Sequence, residues 1–358
     1  MALQSSQSCF FRTNTSEGGI SHLPELGFAM DESAAPRVVY IKSGYGGAAS
    51  RLMGEAARLA EERGGAPEVH WDAPGRERRC ALCLPNQNLC LIDAEYPYCL
   101  DTRLPGAGEE LFSLDICRDN ARLRGQRDAL LQLQNTWRRE LMRSARFLKA
   151  ARAMKKDMNF VAAETLDLPK IERYASRFAA RRFPAPNGRV GREARRFLTA
   201  VTGQGLLLRR SGLEQEYQGA VIMDDEYGVA PILWNLLRGY ALGNGLDVIS
   251  CPCALFPHGE PEHLLLPGIG LACFTANRRH PIEMNGAQRI QAGRFFDKEA
   301  LKEHRCRMRF CRRTMRELLA EAYQAQAAAE IAHAALDAVY ANAELPGAVE
   351  EEARVLLS

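Results

Sequence analysis

The sequence contains no apolar run long enough to cross a bilayer, and its first thirty residues lack the basic start and continuous apolar stretch of a secretory signal. We therefore expect a cytoplasmic protein without a membrane partner. Aromatic side chains are scarce, at 8% of 358 residues, beside 46% apolar and 25% charged residues. This composition excludes collagen-like and wholly disordered proteins, and the length allows two domains.

Two common hydrolase motifs are also absent. The seven histidines show no H-E-x-x-H or H-x-x-x-H spacing, and no G-x-S-x-G occurs, so neither a zinc hydrolase nor an α/β serine hydrolase is indicated. His70 lies near the end of a strand-like run, EVHW, where it either faces a ligand crevice or completes a local hydrogen bond. The eleven cysteines are an odd number, and we expect few or no disulfides in a reducing compartment.

An internal repeat is visible along the chain. FRTNTSEGGI at Phe11 to Ile20 aligns with FLTAVTGQGL at Phe197 to Leu206, at an offset of 186 residues. The β-rich run at Val38 to Lys42, its glycine-rich turn and its helical segment have a counterpart that starts at Ala220 to Met223. Both units read as strand, loop and helix.

A third match supports the repeat. LPNQNLCLIDAEYPY from Leu84 aligns with LPGIGLACFTANRRHP from Leu266, at an offset of 182 residues. Stretches rich in Ala, Leu, Arg and Glu follow each, at 111–156 and 295–340, and predict long helices or a helical hairpin. The Pro- and Gly-rich segment 184–193 is the natural junction.

The fold class we predict is α/β, with two tandem phosphate-loop-like units related by duplication and a long helical arm on each. The first unit covers residues 1–190 and the second covers residues 191–358. A strand that runs through a glycine loop into a helix can hold phosphate, because free backbone N–H groups and the helix dipole converge on the anion.

The first loop is SGYGGAAS, from Ser43 to Ser50. Laid on the pattern G-x-x-x-x-G-K-[ST], it keeps Ser50 but has Ala48 in place of the second glycine and Ala49 in place of the lysine. The loop thus lacks the cation that neutralises the phosphates. Read alone, it is also compatible with a strand-to-helix turn that binds nothing.

The order of these segments resembles an uncharacterised family of bacterial ATPase-like proteins with two phosphate-loop domains. In that family each half has a complete G-x-P-G-T-G-K-S-T loop, followed by a strand that ends in Asp. The first half of this chain matches at Gly44, Gly46, Ser50 and Asp93, and departs at Ala48 and Ala49. The resemblance implies a vestigial nucleotide site made of Gly44, Gly46, Gly47, Ser50, Asp93 and, in the second half, Gly228.

The second half departs further from that family. Its loop, Met223 to Pro231, retains only Gly228, places Val229 at the lysine position and has Thr275 where the strand-end acid is expected. Three acids, Asp224, Asp225 and Glu226, are predicted to face the phosphate site and to repel a triphosphate. We expect no nucleotide binding in this half.

Loss of the lysine weakens both binding and phosphoryl transfer, because the protein contributes mainly positioning and charge neutralisation to that reaction. Lys42 ends a strand and Arg51 lies on the first helical turn, so neither is expected to reach a bound γ-phosphate. The leading hypothesis is a pseudo-NTPase that serves as a binding or scaffold module. The alternative is a weak ATPase that uses ATP and Mg²⁺ in the first half, with Asp93 near the magnesium.

Two cysteine pairs and a basic arm remain. Cys80 and Cys83 form C-x-x-C, Cys251 and Cys253 form C-x-C, and together they make either a four-thiolate zinc site or, as we favour, buried strand residues. Residues 118–196 hold 21 Lys or Arg against 8 Asp or Glu.

This basic arm also carries an apolar stripe at helical spacing: Leu130, Leu133, Trp137, Leu141 and Leu148. The stripe predicts a helix that packs on itself or on its counterpart, with arginines on the solvated face. An unknown protein partner or self-association through these arms is therefore expected. Nucleic-acid binding by the arm from Arg118 to Lys156 is the third hypothesis.

Overall fold

The computed structural model describes residues 8–17, 37–72, 78–96, 99–208, 213–278 and 280–357. These residues form a mixed α/β fold with two six-stranded, mostly parallel sheets. The end of the first repeat segment, residues 18–20, lies outside the described residues.

The first sheet is built from the N-terminal third of the chain. Its strands are β1 (Ser8–Arg12), β2 (Arg37–Lys42), β3 (Glu68–Asp72), β4 (Arg79–Leu84), β5 (Leu89–Asp93) and β6 (Glu109–Ser113). They lie in the order β1-β3-β4-β5-β2-β6. The pairs β3-β4 and β4-β5 are antiparallel, and the other pairs are parallel.

The second sheet follows the first along the chain. The later strands are β7 (Glu193–Arg195), β8 (Thr199–Thr202), β9 (Gly205–Leu208), β10 (Gly219–Asp224), β11 (Val248–Cys253), β12 (Phe256–Leu266), β13 (Leu271–Ala276) and β14 (Gln288–Gln291). β8 and β9 form a separate hairpin, and the rest lie in the order β7-β11-β12-β13-β10-β14. Both sheets thus share one strand order, and their parallel and antiparallel pairs occur at the same places.

Helices connect and cover the sheets. They are α1 (Ala48–Glu62), α2 (Asn120–Arg124), α3 (Arg127–Ala163), α4 (Leu168–Arg182), α5 (Leu213–Glu216), α6 (Ala230–Gly243), α7 (Lys298–Glu303), α8 (Arg305–Ala341) and α9 (Ala348–Leu357). The long helices begin later than the predicted stretches 111–156 and 295–340. A short helix precedes each of them: α2, which Asp119 caps, and α7, which Asp297 caps. Composition alone does not reveal these short helices.

The two long helices pack along each other in antiparallel orientation. Arg143 of α3 pairs with Glu321, whereas Asp157 pairs with Arg307 near the start of α8. Trp137, Leu141 and Leu148, three residues of the predicted stripe, are buried. The arm therefore packs on its counterpart in the other half of the chain.

The shorter helices at the ends of the arms are exchanged between the halves. α4 belongs to the first half of the sequence but packs on α6, while α9 belongs to the second half and packs on α1. Val349, Ala353 and Leu356 of α9 thereby join the hydrophobic core of the first sheet. Each sheet is completed by a helix from the other half.

The structure corrects the alignment of the second loop. α1 begins at Ala48 and α6 begins at Ala230. The second residue of α1, Ala49, is therefore equivalent to Pro231, and Val229, which was predicted to occupy the lysine position, is not. The segment MDDEYGVAP has too few residues in common with the first loop to fix the alignment without the helix start.

Candidate functional site

The first loop lies between β2 and α1 and has the predicted strand, loop and helix geometry. Gly46 and Gly47 have φ angles of 72° and 77°, the left-handed region that glycine adopts without strain. A Cβ added to Gly44 would lie 3.2 Å from Oδ1 of Asp93. The structure thus places Gly44 beside Asp93, and both residues belong to the predicted site.

Helix α8 covers this loop. The backbone N–H of Gly46 donates to Oδ1 of Asp337 at 2.7 Å. A Cβ added to Gly46 would lie 2.7 Å from the backbone nitrogen of Ala341, so α8 contacts the loop directly. A carboxylate of the protein thus accepts from a backbone N–H of this loop, the kind of donor that anion-binding loops offer to a ligand.

The lysine position of the first loop is neutral, and the two nearby cations, Lys42 and Arg51, are engaged by oxygen atoms of the protein. Ala49, at the lysine position, is fully buried. Lys42 donates through Nζ to the carbonyl oxygens of Ala94 and Leu100, at 3.2 and 2.6 Å. Arg51 donates to the carbonyl oxygen of Gly46 at 3.1 Å and pairs with Glu344.

Ser50, the retained hydroxyl of the motif, is buried at the start of α1. Its Oγ accepts a hydrogen bond of 2.9 Å from the backbone N–H of Arg79. The hydroxyl therefore ties the first turn of the helix to strand β4. It also borders a cavity of about 510 Å³ whose lining includes Gly46, Gly47, Arg78 and Asp337.

A buried ion network, which the sequence did not predict, lies beside the loop. Arg12 at the end of β1 is 2.9 Å from Asp72 and 3.3 Å from Asp93. Arg78 is 3.4 Å from Asp93 and 2.6 Å from Asp337. Two arginines thus surround the strand-end acid.

The network sets the protonation of its members. Burial alone would raise the pKa of Asp93, but Arg12 and Arg78 outweigh it and lower this pKa below its usual value. His333 of α8 lies 2.9 Å from Arg78 and stacks on Trp137, with ring centroids 4.0 Å apart. Burial and then Arg78 lower the pKa of His333 to about 3, so its imidazole is neutral at pH 7.

The second loop holds a carboxylate of its own. The side chain of Asp225 accepts hydrogen bonds from the backbone N–H groups of Tyr227, Gly228 and Ala230, at 2.8, 3.0 and 2.8 Å. Gly228, with φ 95°, lies against Asn159 of α3. The long helix of the opposite half therefore contacts this loop too.

The three predicted acids differ in their contacts: Asp225 and Glu226 line one cavity with Gly228, and Asp224 does not. Asp225 faces the N–H groups of the loop, but Asp224 is paired with Arg289 and Gln291. Glu226 accepts from the backbone N–H of Arg278 at 2.8 Å. Asp224 is the last residue of β10 and Asp225 the first residue of the loop, so their side chains point in different directions, which the sequence does not reveal.

At the strand-end position of the second sheet, Thr275 takes the place of Asp93. Its Oγ1 accepts a hydrogen bond of 2.9 Å from Nε1 of Trp234 and donates to the carbonyl oxygen of Glu262 at 2.5 Å. The threonine therefore serves packing between α6 and the sheet and supplies no negative charge.

The four-thiolate zinc site is not formed. Cys80 and Cys83 are three residues apart on β4, so their side chains point to opposite faces of the sheet. Cys80 lies toward Arg12 and Asp93, whereas Cys251 lies toward Arg196. Within the described ranges, the four cysteines do not form a common metal-binding group.

Comparisons of the chain with protein-family models, curated proteins and solved structures gave no match. The resemblance to the bacterial ATPase-like family therefore stays a prediction. Among the described residues, no helix combines the length and apolar character needed to span a membrane.

Proposed function

We propose that this protein is a pseudo-NTPase, made of two tandem phosphate-loop-like units that serve as a binding or scaffold module without turning over nucleotide. The proposal is supported by the common strand order of the two sheets, in which a strand, a glycine loop and a helix recur at equivalent places. The position that corresponds to the lysine of the phosphate-loop motif is Ala49 in α1 and Pro231 in α6, so both units lack this cation.

One observation carries the proposal: an internal carboxylate accepts hydrogen bonds from each loop. Asp337 accepts from Gly46 in the first loop, and Asp225 accepts from three N–H groups in the second. A triphosphate would have to displace a negative charge from each site and then bind without a loop cation. Both requirements oppose binding.

The test is calorimetric titration of the intact chain with ATP and Mg²⁺. We expect no measurable binding by the wild-type protein at millimolar nucleotide. Asp337→Asn removes the charge and keeps a side chain of the same size, and we expect it to bind ATP weakly at most. Wild-type binding at micromolar affinity would contradict the proposal.

A weak ATPase is the second candidate function, and Arg78 is the observation that favours it. Arg78 and Arg51 both line the cavity that Gly47 and Ser50 border. We assign the role of the missing lysine to Arg78 because it lies 3.4 Å from Asp93, whereas Arg51 pairs with Glu344. This function predicts slow magnesium-dependent release of phosphate that disappears in Arg78→Ala and falls in Ser50→Ala. An equal rate in all three proteins would identify a contaminating ATPase.

A further inference from the structure

A row of metal-ligating side chains crosses the first sheet on the face away from α1. Glu68 of β3 lies opposite Cys83 of β4, and Cys83 lies opposite Cys90 of β5. His70 is two residues beyond Glu68 on β3 and so shares its face. Side chains opposite each other in antiparallel strands have Cβ atoms about 5 Å apart, so Cys83 is a direct neighbour of both Glu68 and Cys90 and lies at the centre of the row.

The donor atoms are close and buried. One donor atom each of Glu68, His70 and Cys83 lies within 4.8 Å of the other two. Nε2 of His70 is 2.7 Å from Oε1 of Glu68, and the Sγ atoms of Cys83 and Cys90 are 2.9 Å apart. Donors on a tetrahedral zinc ion lie about 3–4 Å apart, given bonds of about 2.0–2.3 Å. Glu68, His70 and Cys83 are thus close to the spacing that zinc requires, and Cys90, in contact with Cys83, would have to turn toward the other two to complete the set.

The fold itself does not require polar residues in this row. In the second sheet, Ile249 lies opposite Leu265, and Leu265 lies opposite Ala272. These residues are the equivalents of Glu68, Cys83 and Cys90, and all three are apolar. The first sheet thus has a carboxylate and two thiols at three places where the second sheet has apolar side chains.

Arg196 provides a second, independent observation. Its side chain is fully buried, and its Nε donates to Oε1 of Glu68 at 2.6 Å. Its Nη2 has no hydrogen-bond acceptor within the described part of the chain, although the guanidinium lies near Cys83 and Cys90. A buried N–H group without an acceptor is costly, and a thiolate beside it would supply one.

We propose that Glu68, His70, Cys83 and Cys90 bind a zinc ion. Two thiolates and one carboxylate carry three negative charges, and zinc together with Arg196 carries three positive charges, so the buried site is neutral. With four protein ligands the site is closed and structural. It joins β3, β4 and β5 and, through Arg196, fixes the segment that enters the second half of the chain.

The test uses the intact, untagged chain, produced with zinc and purified in the presence of a reductant. Elemental analysis is expected to find one zinc ion per chain in the wild-type protein. Cys83→Ser and Cys90→Ser are expected to lose the metal, whereas Cys80→Ser, a buried change on the same strand but the opposite face, is expected to keep it.

Cobalt substitution provides a readout that does not depend on the variants folding. Wild-type protein reloaded with Co²⁺ should show the thiolate-to-cobalt charge-transfer bands and the visible bands of a tetrahedral site. A wild-type chain that takes up neither Zn²⁺ nor Co²⁺ after reduction would overturn the proposal. So would a Cys83–Cys90 disulfide found by mass spectrometry in the freshly purified protein, or equal metal content in all the cysteine variants.

Discussion

At the scale of single residues, carboxylates of the protein accept hydrogen bonds from the backbone N–H groups of both strand-to-helix loops. Backbone N–H groups that converge in a loop need an acceptor, because an unpaired buried donor costs about 1–3 kcal/mol. Asp225 satisfies three of them in the second loop, and Asp337 satisfies one in the first. The carboxylates thereby stabilise the loops without a ligand.

His333 makes stability depend on pH in a defined direction. Its pKa of about 3 in the folded protein is below the value of about 6.5 in an unfolded chain, so between these values only the unfolded state binds the proton. Stability is therefore expected to fall as the pH drops from 6.5 toward 3, by at most about 1.4 kcal/mol per pH unit for this group.

The measurement is urea unfolding between pH 4 and 7. His333→Gln keeps an acceptor for Arg78 and should reduce the slope, with the remainder due to groups such as His263, whose pKa burial lowers to about 4. An unchanged slope in His333→Gln would contradict this assignment.

At this scale, the sequence allows prediction only of those candidate site residues that are local in the chain. The glycines, Ser50 and Asp93 follow from a motif within one strand, loop and helix unit. Asp337 and His333 could not be predicted, because they come from a helix almost three hundred residues away and no local pattern marks them. Arg12 was detectable as a charge at the end of a strand, where side chains reach a ligand crevice.

At the scale of elements, α8 determines the shape of the first loop. Gly46 combines a positive φ with backbone contact from Ala341 and Tyr340, and Tyr45 stacks on Tyr340 with ring centroids 4.8 Å apart. The loop is therefore held between its own helix and the arm of the other half.

Gly46→Ala is expected to be much more destabilising than Gly64→Ala. Both residues have positive φ angles, 72° and 78°, so alanine costs about 1–2 kcal/mol at either site. Only Gly46 also meets backbone atoms, since nothing lies within 4 Å of a Cβ at Gly64. We expect an additional loss of at least about 1 kcal/mol in the free energy of unfolding, as overpacking does. Equal losses would show that α8 does not contact the loop.

The basic arm gives a test of nucleic-acid binding. Several of its cations pair with acids elsewhere in the protein, such as Arg143 with Glu321 and Lys155 with Glu262. The test variant combines Arg138→Glu with Arg146→Glu on α3, and the control variant combines Arg63→Glu with Arg354→Glu, which makes the same change in charge elsewhere. We expect the two variants to shift the salt concentration of elution from heparin by the same amount. A selective shift for the α3 pair would favour nucleic-acid binding.

At the scale of the whole molecule, the two halves are held together by the exchanged helices α4 and α9 and by an isolated antiparallel β-bridge. Phe11 and Phe197, which the repeat aligned with each other, meet where the backbone N–H of Phe11 donates to the carbonyl oxygen of Phe197 at 2.8 Å. The sequence repeat indicated two similar halves. It could not predict that α4 and α9 pack on the opposite half, because this depends on contacts between residues far apart in the chain.

Residues 1–190 are therefore not expected to fold alone. Without the second half, α1 loses the apolar residues of α9 and the first loop loses Asp337. Limited proteolysis should degrade the separate fragment 1–190 and spare the same segment when residues 191–358 are co-expressed with it. A protease-resistant, monomeric fragment would contradict the exchanged arrangement.

The most direct test of the central claim is a crystal structure of the intact chain grown with ATP and Mg²⁺ in excess. We expect Asp337 on the N–H of Gly46, Asp225 on the N–H groups of the second loop, and no nucleotide at either loop. A triphosphate bound across Gly44 to Ser50, with Asp337 displaced, would contradict the account.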